Sequence, residues 1–180
     1  MTAPTPARAA AVALGAVLPV AVGVAIWLTG RHHSPDYTTS LFGAHDAAAV
    51  TLKARLGTAL FGLAVVQVLL ALWMYGRSRP GRVRIAHRAV GWLAFLLSVP
   101  IAFHCVRTYG VETSSTRVFL HSVAGCALYG AFVAKVLLVR SRRLPGWTLP
   151  VAGGALFTAI GLLWYSASLW ALNGFTVPGL

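Results

Sequence analysis

The sequence predicts an all-α membrane protein built from five transmembrane helices. Of its 180 residues, 58% are hydrophobic and only 10% are charged, whereas soluble domains carry about 25% charged residues. The apolar residues fall into long runs, and a helix needs roughly 20 of them to cross a bilayer core. We therefore expect a single domain over residues 1–180, an antiparallel bundle with spans at 9–29, 52–75, 86–105, 118–139 and 148–172.

The first apolar run follows Arg8 and has the charge pattern of a secretory signal peptide. It continues for about 20 residues and ends in IWLTG, without the small-residue A-x-A pattern of a cleavage site. We interpret it as a retained span.

The other four spans are marked by their flanking residues. Asp46 precedes AAAVTLKARLG, so the second helix begins outside the membrane and runs into it. Pro100 lies inside the third span and should kink it, because proline cannot complete the helical hydrogen bond. The fourth span follows a connection of about a dozen residues, and the basic segment RSRRLPGW separates it from the fifth.

The basic residues predict the orientation of the chain. The net charge is +12, with 15 Lys and Arg against 3 acids, but these cations lie in short connections, which argues against a nucleic-acid surface. Cytoplasmic loops carry the excess of Lys and Arg. Ten cations fall on one side and five on the other, so we expect the N-terminus inside and the C-terminus outside. The arginine- and alanine-rich composition favours a bacterial cell membrane. The ten are Arg8, Arg77, Arg79, Arg82, Arg84, Arg88, Lys135, Arg140, Arg142 and Arg143; the five are Arg31, Lys53, Arg55, Arg107 and Arg117.

Three histidines at helix ends suggest a haem site. His104 lies in the last turn of the third span and His121 in the first turn of the fourth, so both are expected at the same outer depth. Neutral imidazole is an axial ligand of haem iron, and two imidazoles leave no open position, which suits electron transfer. We therefore predict His104 and His121 as the metal ligands. His87, at the inner end, is a candidate for a second haem or for a quinone-site base.

Glycines one turn from these residues add to the pattern. Gly125 follows His121 and Gly91 follows His87, each at i+4, where a bare helix surface leaves room for a porphyrin edge. Lys53 has the same spacing to Gly57 and could pair with a haem propionate or, more rarely, bind the iron. Glycine is also common where membrane helices pack, so a packing role stays open.

Other readings of these side chains remain. A single histidine near a membrane interface is more often an interfacial polar residue than a ligand. Cys105 and Cys126 read as small buried hydrophobes, although a disulfide on the outer side stays possible.

The stretches HRAVGWLAFLLSVPIAFHC and FLHSVAGCALYGAF resemble the histidine-bearing helices of cytochrome b561-type proteins. From about residue 40 on, the chain also resembles an uncharacterised actinobacterial family of five-helix membrane proteins, through its FHC, HS-x-x-G-C and RSRRLPGW segments. The first resemblance implies a haem b bundle that moves single electrons, with His87 and His121 at two ligand positions. The sequence departs from that family on the second helix, where Lys53 takes the place of the expected partner of His121.

Two hypotheses about function follow. In the first, the chain is a b-type cytochrome-like subunit that binds one haem b, with two possible, and transfers electrons between a membrane quinol and an extracytoplasmic Rieske or copper protein. In the second, it is a haem-free anchor or assembly protein of a redox complex. We expect no nucleic-acid partner, and either a homo-oligomer or a complex subunit. Catalysis by this chain alone is not expected, because few loop residues are available to bind a substrate.

Overall fold

The computed structural model describes residues 6–76, 81–140 and 145–180, with only the backbone given for 6–16. These ranges form five helical rods and contain no β-strand. The all-helical prediction is confirmed for this part of the chain. The elements are α1 (Pro6–His32), α2 (Asp46–Gly76), α3 (Gly81–Tyr109), α4 (Thr116–Arg140) and α5 (Thr148–Leu163), which continues through a π segment (Trp164–Leu169) into the short α6 (Trp170–Leu172).

Four of the rods are long and apolar enough to cross a bilayer: Asp46–Tyr75, Gly81–Tyr109, Thr116–Arg140 and Thr148–Leu172. They identify the chain as a multi-pass membrane protein. The apolar part of α1 whose side chains are described, Val17–His32, is shorter. A membrane crossing by α1 therefore stays a prediction.

The helices are longer than the apolar runs that predicted them. α2 begins at Asp46 rather than at residue 52, and α3 extends from Gly81 to Tyr109 rather than from 86 to 105. Helical hydrogen bonding continues beyond the hydrocarbon core, so hydropathy alone underestimates helix length. Asp46 in the first turn of α2 and Arg107 in the last turn of α3 suit the helix dipoles at those ends.

The order in which the helices pack defines an interior. α1 packs on α4, α4 on α5, α5 and the π segment on α2, and α2 on α3. The ring α2–α3–α4–α5 is completed by side chains between α3 and α4, where the Phe95 and Phe132 rings stack 4.3 Å apart and Ser98 Oγ lies 3.2 Å from Tyr129 Oη. α2 and α4 therefore occupy diagonal positions across the ring.

One end of the bundle carries the connections 33–45 and 110–115 and the segment 173–180, and we refer to it as the loop end. Backbone hydrogen bonds tie these connections to the helices: Asp36 N–H donates to Arg107 O at 3.0 Å, and Val111 N–H donates to Gly30 O at 3.0 Å. The three acids of the sequence, Asp36, Asp46 and Glu112, all belong to this end.

Close packing of α1 on α4 depends on glycine. A Cβ on Gly130 would lie 2.6 Å from the Pro19 carbonyl oxygen, and one on Gly23 would lie 3.3 Å from the Cys126 carbonyl oxygen. Small residues let membrane helices approach to backbone contact, so these two glycines set the distance between α1 and α4.

Part of the charge bias that predicts orientation lies outside the described residues: Arg77, Arg79, Arg142, Arg143 and the side chain of Arg8. Five of the remaining cations lie toward the end opposite the loop end, as predicted: Arg82, Arg84, Arg88, Lys135 and Arg140. Which end faces the cytoplasm stays a prediction.

Candidate functional site

A cavity of about 500 Å³ lies inside the ring of helices, toward the loop end. Its walls are mostly apolar and come from α2, α3, α4 and the fifth rod, with Ile26 from α1 and, at the loop end, residues of the 110–115 connection that include Glu112. Lys53, Arg117 and His121 also line it. A cavity of this size, apolar with a few convergent polar groups, has the character of a small-molecule or cofactor site.

One stripe of α4 supplies much of the polar wall. Arg117, His121 and Gly125 follow one another at intervals of four residues, which places them on the same face of the helix. All three line the cavity, so α4 presents a cation, an imidazole and a bare helix surface in that order from the loop end inward. A Cβ on Gly125 would reach only ordinary contact with Leu163, at 3.8 Å.

His121 is held by the π segment. Its Nδ1 lies 3.1 Å from Ser166 Oγ, and the Ser166 hydroxyl donates to Leu162 O at 2.6 Å. Because the hydroxyl proton is committed to Leu162, Ser166 Oγ accepts, and His121 Nδ1 carries the proton that is donated. The neutral ring then keeps its lone pair on Nε2. An imidazole oriented through Nδ1–H in this way is typical of a metal ligand.

Arg117 is fixed at the rim of the cavity by two contacts. Its Nη1 donates to Ser166 O at 2.9 Å, and its guanidinium lies 3.7 Å from the centre of the Trp170 ring. Ser166 therefore receives a hydrogen bond from Arg117 at its carbonyl and one from His121 at its hydroxyl. The guanidinium cannot lose its proton in a protein, so it remains a cation at the rim.

Lys53 lies on α2, on the wall opposite His121. Its Nζ is 4.3 Å from the centre of the Tyr109 ring, a cation–π distance. Within the described ranges, Asp36 and Arg107 form the ion pair between a carboxylate and a cation, at 3.8 Å, and Lys53 has no such partner. The space beside Gly57, one turn further along α2, is filled by the Ser168 hydroxyl.

The π segment shapes the fifth wall. Ser166 is 1% exposed and Ser168 is 5% exposed, so both hydroxyls are buried between the helices. Trp164 stacks on Phe61 at 4.6 Å and donates from Nε1 to Thr58 Oγ1 at 3.2 Å, which anchors the segment to α2. Single π turns inside α-helices occur frequently at functional sites.

The structure does not bring His104 to the cavity. The ring is buried, with 2% exposure, and its nitrogens lie 3.5 Å from Thr108 Oγ1 and within hydrogen-bonding reach of the Thr39 backbone. The cavity wall on α3 is formed by the face that carries Ser98, Cys105 and Tyr109. At about 100° per residue, His104 lies about 130° around the helix from the middle of that face. The predicted ligand pair of His104 and His121 stays a prediction.

His87 and Gly91 lie toward the opposite end of the bundle and do not line the cavity. Gln67 Nε2 donates to His87 O at 2.6 Å, and the same amide nitrogen would lie 2.9 Å from a Cβ on Gly91. Gln67 thus occupies the space beside Gly91 that the sequence reserves for a porphyrin edge. His87 Nδ1 and Gln67 Oε1 are buried without a hydrogen-bond partner.

Both cysteines line the cavity, Cys105 from α3 and Cys126 from α4, and both are free thiols. In the described part of the chain, no group of three or more His, Cys, Asp or Glu side chains could hold a metal ion by itself.

Sequence reasoning missed Arg117, Ser166 and Trp170 as parts of the site. The sequence could have identified Arg117, because it precedes His121 by four residues and therefore shares its face of α4. It could not have identified Ser166 and Trp170, because a π segment has no sequence signature that separates it from an α-helix.

Comparison with curated proteins and with solved structures finds no match for this chain. Comparison with protein families finds one whose description is a family of unknown function, DUF6529, and the match extends over residues 11–179. It includes all four helices that line most of the cavity and nearly the whole sequence. The chain therefore belongs to the DUF6529 family.

Proposed function

We propose that this protein is a b-type cytochrome-like membrane subunit that binds haem b in the cavity and transfers single electrons. The observation that carries the proposal is the hydrogen-bonded state of His121. Its Nδ1–H is committed to Ser166 Oγ at 3.1 Å, while its Nε2 is left as a neutral nitrogen donor in the wall of an apolar cavity. Haem b, when bound, supplies a reversible one-electron iron couple.

The rest of the cavity suits a flat apolar molecule with acidic edges. Apolar side chains from four helices cover most of its wall, and Gly125 leaves the helix surface bare one turn from His121. Arg117 offers a cation toward the loop end, where a propionate of a haem would be neutralised, and Lys53 lines the cavity from the opposite wall. These residues would hold one haem b, with His121 binding its iron.

The same proposal includes a b561-like antiparallel bundle in a bacterial cell membrane, with the N-terminus inside and the C-terminus outside. Ten cations against five support it. The cavity then opens toward the extracytoplasmic side, where a Rieske or copper protein would exchange electrons with it, and quinol in the bilayer would be the other partner. An electron-transfer protein of this kind works as a subunit of a complex or as a homo-oligomer, and not as an enzyme by itself.

Purification of the full chain in a mild detergent tests the proposal. We expect a Soret band, a sharp α band in the reduced-minus-oxidised spectrum, and about one haem b per chain by pyridine haemochrome assay. The variant His121→Ala should lose most of the haem. His45→Ala is the matched control, because His45 is an exposed histidine of the 33–45 connection and its loss should leave the spectrum unchanged.

A chain that folds and purifies without haem, even when haem is supplied during expression, would contradict the proposal. That result would favour the haem-free anchor or assembly role instead. Equal haem loss in His121→Ala and His45→Ala would contradict the assignment of His121.

A further inference from the structure

The side chain that faces His121 across the cavity has to come from α2. α2 and α4 are diagonal in the ring of helices, whereas α5 packs against both of them. A group held by His121 from α4 would therefore be approached from the far side by residues of α2. The residues of α2 that line the cavity are Val50, Lys53, Ala54, Gly57 and Leu60. Among these, only Lys53 has a side-chain atom that can bind a metal.

Of the two cations that line the cavity, Lys53 is also the one whose side-chain nitrogen is available to bind a metal. Arg117 is engaged by Ser166 O and Trp170, and a guanidinium has no lone pair to offer. Lys53 contacts the Tyr109 ring at 4.3 Å and has no carboxylate partner in the described ranges. Its four-carbon side chain gives it the reach to cross part of the cavity.

The other donors near this position are less suited to it. His104 does not line the cavity, and its ring nitrogens lie 3.5 Å from Thr108 Oγ1. Tyr129 Oη is paired with Ser98 Oγ at 3.2 Å. Cys105 lies on α3, which is not the diagonal partner of α4, and its short side chain limits its reach. Among the residues that line the cavity from α2, the helix diagonal to α4, Lys53 is the one that can offer a donor atom to a group held by His121.

We propose that Lys53 and His121 form the axial ligand pair of the haem, with Arg117 left to neutralise a propionate. This inference rests on the function proposed above. Lys53 would bind through its neutral amine, and the proton that its ammonium gives up on binding would leave to solvent at the loop end. No oxidant or reductant is needed for that step.

Four variants of the full-length, haem-loaded chain test this pair by electron paramagnetic resonance and by carbon monoxide binding to the reduced protein. In Lys53→Arg the positive charge is kept but the ligand is lost, so a purely electrostatic role predicts no change, whereas ligation predicts a shift from low-spin to high-spin ferric haem and a gain of carbon monoxide binding. Lys53→His should restore a low-spin state with bis-imidazole g-values. His104→Ala and Cys105→Ala should keep the wild-type spin state.

Each result has one reading. Haem that stays low-spin in Lys53→Arg, or that becomes high-spin in His104→Ala or Cys105→Ala, overturns the assignment of Lys53 while leaving haem binding intact. A wild-type chain that is already high-spin overturns it too. A wild-type chain with no haem overturns the proposed function itself, and this inference with it. If Lys53→Arg does not fold, the g-values of the wild type and of Lys53→His are compared: bis-imidazole values that appear only in Lys53→His support the assignment of Lys53, and bis-imidazole values already present in the wild type overturn it.

Discussion

His121 and Ser166 face each other from different rods of the bundle, with His121 Nδ1 3.1 Å from Ser166 Oγ. Ser166 is 1% exposed, and its hydroxyl donates a hydrogen bond to Leu162 O. The serine therefore fixes both the tautomer and the orientation of the imidazole. Because this buried acceptor holds Nδ1, it leaves Nε2 as the ring nitrogen that is available to a ligand in the cavity.

Loss of this acceptor should weaken the site without removing the ligand. In Ser166→Ala, His121 loses its Nδ1 partner, and we expect haem affinity to fall about 10- to 100-fold, as is typical for the hydrogen-bond partner of a metal-bound histidine. Haem titration of the apoprotein, followed by its Soret absorbance, measures the change. Ser168→Ala is the matched control, since Ser168 is a buried serine of the same π segment with its hydroxyl beside Gly57. Equal losses in the two variants would point to a general packing defect.

One haem per chain is expected, with His87 dispensable for its binding. His87 lies toward the opposite end from the cavity, and Gln67 fills the space beside Gly91. Pyridine haemochrome quantitation against protein mass should give a ratio near one in both the wild type and His87→Ala. A ratio near two that drops to one in His87→Ala would establish a second haem at that end.

The contact between α1 and α4 should tolerate no side chain at Gly130. A methyl group there would lie 2.6 Å from the Pro19 carbonyl oxygen, and backbone cannot move aside cheaply. We expect Gly130→Ala to destabilise the fold by about 1–3 kcal/mol, the usual range for overpacking. Thermal unfolding in detergent measures it. In the control Gly62→Ala the added methyl meets no atom within 4 Å, so its melting temperature should match or exceed that of the wild type.

Asp36 should make stability depend on acidic pH. The Thr38 hydroxyl and backbone N–H, the Thr39 hydroxyl and the nearby Arg107 guanidinium hold the pKa of this carboxyl below its ordinary value of 3.8. A carboxylate with a lowered pKa in the folded state stabilises the fold above pH 3.8 and loses that contribution as the pH falls through the folded-state pKa. Asp36→Asn should therefore melt below the wild type at pH 5, and the gap should close as the pH is lowered beneath 3.8. A gap that widens on acidification would refute the assignment.

The charge bias predicts where the two ends of the chain lie. A periplasmic-type reporter, such as alkaline phosphatase, fused after Leu180 should be active, and a cytoplasmic-type reporter at the same place should be silent, because the ten-cation side is expected inside. The inverse pattern of activities would reverse the orientation and place the cavity toward the cytoplasm. The same pair of reporters fused within the 33–45 connection is an internal check, since that connection belongs to the loop end.

Hydropathy was sufficient to locate the helices and to tell how deep in the bundle a residue lies. It did not tell which face of each helix turns toward the interior. His104 illustrates this difference. Its position near the end of α3 correctly indicated the loop end, yet an α3 that is apolar on every side offers no amphipathic stripe to show which face turns inward. The structure turns Cys105 toward the cavity and His104 toward Thr39.

The spacing of glycine after a polar residue was also insufficient to tell a ligand-binding surface from a helix-packing surface. Gly57, Gly91 and Gly125 all follow a polar residue by four positions, but Ser168 and Gln67 fill the spaces beside the first two, and only Gly125 lines an open wall next to a histidine. A bare helix surface accepts a neighbouring side chain as readily as a ligand, and only the tertiary packing decides between them.

The π segment makes the length of the fifth rod matter as much as its composition. A π turn is an α-helix with one surplus residue. Deletion of a single position within Trp164–Leu169 would return the rod to ordinary α-helical phase and rotate everything after it by about 100°. Trp170 would then turn away from Arg117, and the segment that follows α6 would leave the loop end of the cavity. The number of residues in the fifth rod, and not only their identity, therefore determines whether Trp170 meets the Arg117 guanidinium.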